Sequence, residues 1–185
     1  MNTPAAIEVT DLVKRYGDRD VVDGLSFDVR HGETFALLGP NGAGKSTTIE
    51  ILEGFRAATS GTARVLGHDP AHGDAQWRGR IGVVSQSSAD IERYSAREVL
   101  RHFASLYRHP RDVAETIERC GIAPFATQRV GFLSGGQKRR VDVALGIIGN
   151  PEVLFLDEPT TGFDPTARRA FWGRIHQLNG EGVIM

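Results

Sequence analysis

Apolar residues fall in short runs along this chain, with turn-forming residues between them. Ile7 to Val13 and Val22 to Val29 alternate apolar with polar positions and flank Tyr16-Gly17-Asp18. That pattern predicts a hairpin of two half-buried strands. Thr62 to Leu66 adds a third strand, before a Gly/Pro-rich loop that runs through His72-Gly73. Together these predict an antiparallel side sheet. Phe35-Ala36-Leu37-Leu38, Ile81 to Ser85 and Val153 to Leu156 do not alternate. Continuous apolar runs of that length fit parallel strands covered on both faces. Gly182 to Met185 begins another strand of this kind.

Helical periodicity lies between the runs. Thr47 to Leu52 continues directly from a glycine-rich segment. Ser95-Ala96-Arg97-Glu98 has the spacing of a capping box and opens a helix with Val99, Leu100, Phe103 and Leu106 inward. A second helix is predicted over Asp112 to Cys120. A third follows Ser134, with Val141, Ala144, Leu145 and Ile148 on its apolar face. The predicted fold class is α/β: a mostly parallel sheet, an antiparallel side sheet, and a helical subdomain inserted over 87–132.

Composition narrows the classes. A chain of 185 residues suits one domain with a substantial core. Lys and Arg number 22 against 23 Asp and Glu, so no basic footprint points to nucleic acid. Cys120 is the single cysteine, which excludes an internal disulfide and fits a reducing compartment. Its spacing from Val113 and Ile117 places it in the core. No apolar stretch approaches a membrane span, and Met1 to Thr10 carries no secretory pattern. Lys138-Arg139-Arg140 and Arg168-Arg169 read as solvated helix faces. Trp77 and Trp172 read as packing anchors or partner contacts.

Three segments carry chemistry. Gly39-Pro40-Asn41-Gly42-Ala43-Gly44-Lys45-Ser46 is a complete phosphate-binding loop between a strand and a helix. Its glycines let the backbone turn and aim N–H groups at a polyphosphate. Lys45 can reach the β- and γ-phosphates, and the Ser46 hydroxyl suits Mg²⁺. Asp157 and Glu158 follow the apolar run 153–156 at the end of a strand where α/β ligands gather. Asp157 is placed to hold Mg²⁺, and Glu158 to orient or deprotonate water. Leu133-Ser134-Gly135-Gly136-Gln137 reads as a capping box, yet two first-turn glycines each cost a helix about 1 kcal/mol. Bare backbone at a helix start also makes an anion site. A chain with two such starts either binds two anions or shares one with a second copy.

These segments, in this order from about Ile7 onward, resemble the ATP-binding subunit of an ATP-binding cassette (ABC) transporter. The resemblance implies ATP and Mg²⁺ as ligands. Gly39, Pro40, Asn41, Gly42, Ala43, Gly44, Lys45, Ser46 and Thr47 correspond to the Walker A loop, and Tyr16 to the aromatic that stacks on adenine. Gln86 matches the glutamine that touches Mg²⁺ and couples to the membrane partner. Ser134, Gly135, Gly136 and Gln137 match the signature that meets the nucleotide of a second copy. Asp157 matches the Walker B carboxylate, Glu158 the catalytic base and Asp164 the D-loop aspartate. The implied partners are a membrane-spanning permease and a second copy of the subunit. The implied location is the cytoplasmic face of the membrane, held through the permease.

Glu53-Gly54-Phe55, the segment 134–145 and Thr160-Thr161-Gly162-Phe163-Asp164-Pro165 are similar to the daunorubicin-resistance-type exporter ATPases. The family's switch histidine would fall beyond Met185, and none of the six histidines stands in its place. The chain therefore reads as a truncated unit, with weak hydrolysis and an aggregation-prone sheet end at Val183 and Ile184. Two other readings stay open. One is a nucleotide-binding module without turnover. The other is an ABC ATPase of DNA repair or translation, a class that usually adds long coiled coils or a second cassette.

Overall fold

The computed structural model describes residues 5–84, 91–157, 168, 169 and 173, and the backbone of 182–184. Strands β1 (Ala5–Tyr16) and β2 (Arg19–Arg30) form the hairpin, with Gly17 at φ 56° in the turn. Strand β4 (Ser60–Val65) joins the other edge of β1, so the antiparallel sheet runs β2-β1-β4. Alternation buries Ile7 and Val9 and leaves Glu8 and Thr10 in solvent. It breaks at Asp11, whose φ of 47° lies where the register shifts. That bulge turns Leu12 back into the core.

The second sheet is parallel and runs β3-β7-β6-β5. Its strands are β3 (Thr34–Phe35), β7 (Gly182–Ile184), β6 (Val153–Leu156) and β5 (Ile81–Val84). All four residues of β6 are fully buried. Val153 and Phe155 join one hydrophobic cluster, with Ile7, Ile49, Leu52 and Trp77. Leu154 and Leu156 join the other, with Leu100, Ile122, Val141 and Ile147. A strand of period two thus serves two cores at once.

Helix α1 (Lys45–Leu52) backs the first core, followed by the short α2 (Ala75–Arg78). Trp77 on α2 is buried and donates its indole N–H to the Val65 carbonyl at 3.0 Å, so it is a packing anchor. Helices α3 (Ala96–Ala104), α4 (Val113–Arg119) and α5 (Gly135–Ile147) cover the second core. Ser95 and Glu98 complete the expected capping box of α3. Cys120 is buried among these helices.

Three expectations are corrected. The run 35–38 is strand only at its start: β3 ends at Phe35, and Leu38 is 87% exposed. Its ladder is Thr34↔Val183 and Phe35↔Ile184, and no described residue pairs with Ala36 or Leu37. An apolar run becomes strand only where a second segment pairs with it. Leu106 is 66% exposed rather than inward, because α3 ends at Ala104 and its periodicity stops there. Arg139 is buried, not solvated, for reasons given below.

Helix α5 meets β5 backbone to backbone. A methyl group on Gly82 would collide with the Gly146 carbonyl, and one on Gly146 with the Val84 side chain. The Gly82→Ala change should therefore cost about 1–3 kcal/mol by overpacking. Urea unfolding followed by circular dichroism should show a lower midpoint at unchanged slope; an unmoved midpoint would mean that the helix can ride away from the sheet freely.

Candidate functional site

The phosphate loop joins β3 to α1, and its shape follows from two glycines. Gly42 and Gly44 sit at φ 83° and 82°, in the left-handed region that favours glycine. Any side chain on Gly44 would also strike the Val21 carbonyl. That contact ties the loop to β2 and hence to the hairpin that carries Tyr16. Gly44 is the N-cap residue of α1 and brings no side-chain acceptor. Helices α2, α3, α4 and α5 all start under an Asp or Ser cap. Among the described α-helices, α1 alone keeps its first amides for something else. Its dipole favours an anion there. The Lys45 ammonium donates to the Gly39 and Pro40 carbonyls, each at 2.9 Å, which holds its charge at the mouth of the loop.

The two hard-oxygen groups expected at a metal are brought together. Ser46 Oγ donates to Asp157 Oδ1 at 3.4 Å, across 111 positions of sequence. Ser46 stands on the first turn of α1, and Asp157 is the first residue past β6. A hydroxyl and a carboxylate at this spacing fit Mg²⁺, which takes few protein ligands and completes its shell with phosphate and water. Among the described residues no group of three His, Cys, Asp or Glu side chains could hold a metal without such help.

Tyr16 ends β1, half exposed. Lys14 Nζ lies 5.1 Å from its ring centroid and the Arg56 guanidinium carbon 5.6 Å. Both cations are pinned: Lys14 donates to the Ala57 carbonyl at 2.7 Å and Arg56 to Glu50 at 2.6 Å. The ring thus stands on a fixed cationic base.

Ser134 caps α5. Its hydroxyl accepts from the Gln137 amide at 3.3 Å, and Gln137 Oε1 accepts from the Ser134 amide at 2.9 Å. Gly135 and Gly136 face open space, where an added methyl would touch nothing within 4 Å. Among the described residues, packing does not demand their lack of side chains. Among the described residues no hydrogen bond joins this helix start to the phosphate loop. Gln86, Glu158 and Asp164, like Trp172, lie outside the described residues.

Two charged residues near the site escaped the sequence reading. Arg139 is 9% exposed. Its Nη2 donates to the Asp157 carbonyl at 3.1 Å, and Nη1 lies 3.7 Å from Asp142. Burial pulls its pKa down, while Asp142 and Asp157 push it back up. The signal was present: Val143, Gly146 and Ile147 form a second buried line on α5, and one turn back along it is Arg139. Glu53 is four residues past the buried Ile49 on α1, so the helical period carries it inward too. Burial, then the charges of Asp157 and Glu50, pushes its carboxyl up to about 8.

With this geometry in view, the comparisons assign the class. The fold is that of P-loop nucleotide-binding domains. It superposes on cbiO1 of Clostridium perfringens, part of the ABC transporter complex cbiONQ, with TM-score 0.85 and 27% identity, covering 97% of this chain and 77% of that one. MJ1267, an ATP-binding cassette of an ABC transporter, in its ADP conformation matches equally well in fold, TM-score 0.85 at 22% identity, over 98% of this chain and 80% of that one. Residues 22–161 match the ABC transporter family, and the chain belongs to it. It is 43% identical over 183 residues to the Nod factor export ATP-binding protein I of Paraburkholderia xenovorans (strain LB400), covering 96% of this chain and 60% of the relative. It is 41% identical over 185 residues to the daunorubicin resistance ATP-binding protein DrrA3 of Streptomyces coeruleorubidus, covering 97% of this chain and 58% of the relative. The chain spans about 60% of the length of such relatives. No helix among the described residues is long and apolar enough to cross a membrane.

The raised Glu53 carboxyl sets a pH dependence. Between about 4.5 and about 8 the folded chain keeps this proton and the unfolded chain has lost it. The native state then binds more protons, so stability falls as pH rises through that window, by at most about 1.4 kcal/mol per pH unit. Glu53→Gln should flatten this slope: melting temperatures should match wild type near about pH 5 and exceed it by a few degrees near about pH 8.5. Parallel pH profiles for the two proteins would refute the assignment.

Proposed function

We propose that this chain is the ATP-hydrolysing, energy-coupling subunit of an ABC exporter. The 3.4 Å approach of Ser46 to Asp157 carries the reading, because it sets a metal pair beside a phosphate loop. Tyr16 stacks on adenine. The loop amides from Gly39 to Thr47 and the Lys45 ammonium hold the phosphates. Ser46 and Asp157 would hold Mg²⁺, with Gln86 as a further ligand, and the ion would supply positive charge against the phosphates. Glu158 orients the attacking water. Positioning and electrostatics supply most of the rate in such a reaction.

Ser134, Gly135, Gly136 and Gln137, with Asp164, engage the nucleotide of a second copy. The open space around both glycines supports that role. Two copies then close on two ATP molecules as a homodimer, and closure moves a separate permease. A cleft of about 580 Å³ between α1 and the helical segment fits the permease contact; Glu53, Phe55, Val83, Tyr107 and Asp142 line it. Gln86 lies in sequence between Val84 and Ile91, two further lining residues. The helical subdomain over 87–132 would transmit that movement. The chain would act at the cytoplasmic face of the membrane. The names of its relatives support export as the direction.

Lys45→Ala tests the site. It removes a charge-assisted contact worth about 1.5–3 kcal/mol, so Mg-ATP affinity should fall by about tenfold or more with unchanged circular dichroism. Unchanged affinity by calorimetry would sink the assignment. Gly135→Asp tests the shared site. It should abolish ATP-dependent dimerisation of the Glu158→Gln protein, read by light scattering, and leave ATP binding by the monomer within about twofold. A persisting dimer would move the interface elsewhere.

A further inference from the structure

Asp157 is the first residue beyond β6, one position past the Val84↔Leu156 pair that ends the register with β5. Its amide reaches the Val84 carbonyl at 3.4 Å, a long hydrogen bond. Its carbonyl accepts from Arg139 Nη2 at 3.1 Å. The Asp157 carboxylate meets Ser46 at 3.4 Å, close to the limit of a hydrogen bond, so a small rotation of its peptide would break that pairing. Arg139 is itself fixed. Its guanidinium is buried, faces Asp142 one turn along the same helix, and extends from α5 four residues after the helix starts at Gly135. A continuous chain of contacts therefore runs from Ser46 through Asp157 and Arg139 to the first turns of α5.

We propose that Arg139 is a positioning residue: it holds Asp157 in register with Ser46, and so couples metal capture at the phosphate loop to the seating of the glycine-rich start of α5. A buried arginine is costly to desolvate, and the Asp157 carbonyl and the Asp142 carboxylate offset that cost at a fixed place. Coupling of this kind is reciprocal. Metal bound between Ser46 and Asp157 steadies the Asp157 peptide, which steadies Arg139 and the helix that carries it. Within one chain, the site that receives Mg-ATP then prepares the surface offered to a second copy. The inference rests on the reading of Ser46 and Asp157 as the metal pair.

The test compares the full chain with Arg139→Met and Arg139→Lys. Methionine keeps the stem but cannot donate; lysine keeps one cation that can reach a single acceptor. ATP affinity in EDTA is measured by calorimetry, and Mn²⁺ affinity of the ATP complex by electron paramagnetic resonance. Arg139→Met should weaken Mn²⁺ binding by about tenfold and change metal-free ATP binding by less than about twofold. Arg139→Lys should recover part of the loss. Wild-type Mn²⁺ affinity in Arg139→Met, or equal losses with and without metal, would overturn the proposal. Should Arg139→Met not fold, hydrogen exchange on wild-type monomer decides. Adding Mg²⁺ to the ATP complex should slow exchange over the first turns of α5, and no slowing overturns the coupling. If wild type binds Mg-ATP no better than ATP in EDTA, the metal-pair reading itself fails, and the proposal falls with it.

Discussion

Strand β6 is apolar on both faces, and most of the molecule is arranged to keep water from it. Val153 and Phe155 need one cover and Leu154 and Leu156 another. The side sheet and α1 supply the first, and α3, α4 and α5 the second. Once both faces are sealed, polar chemistry on this strand is confined to its ends, Glu152 paired with Arg80 at one and Asp157 at the other. Asp157 stands there, where the apolar run stops, and the start of α1 is drawn to the same edge. The position of the site is thus a consequence of burial as well as of the residues that compose it.

The two cores meet the site differently. On the first side, α1 starts without a side-chain cap, and its first residue, Lys45, donates to the loop carbonyls of Gly39 and Pro40. On the second side, α5 starts under a serine cap, and its glycines open to solvent. One helix start has no side-chain cap; the other is capped and still leaves bare backbone facing outward. Arg139 is the polar link between the two sides, through the carbonyl of the residue that divides them. Its burial is tolerable because a carbonyl and a carboxylate share the charge.

The strands were legible wherever burial pattern and partner agreed. Ile81 to Val84 and Val153 to Leu156 pair with each other in full, as their composition suggested. The run 35–38 looked the same on paper, yet only Phe35 of it is strand. A ladder needs hydrogen bonds from a second chain segment, and no described residue pairs with Ala36 or Leu37. Leu106 failed for a related reason: the helical period was extended past a helix that had already ended.

By itself the sequence determined the local chemistry. Glycines at 42 and 44 dictate a loop with left-handed turns, Ser134 and Gln137 dictate a capped helix, and an apolar run closed by Asp157 dictates a buried strand with a polar end. These depend on neighbours within a few residues, so spacing suffices to read them. Only the tertiary structure decided which distant groups share a field. It set Ser46 against Asp157, drew Glu53 into the reach of that carboxylate, and turned Arg139 from a surface cation into an internal brace. Those outcomes depend on distances of a few ångströms between segments up to 111 residues apart, and such distances exist only after both cores have closed.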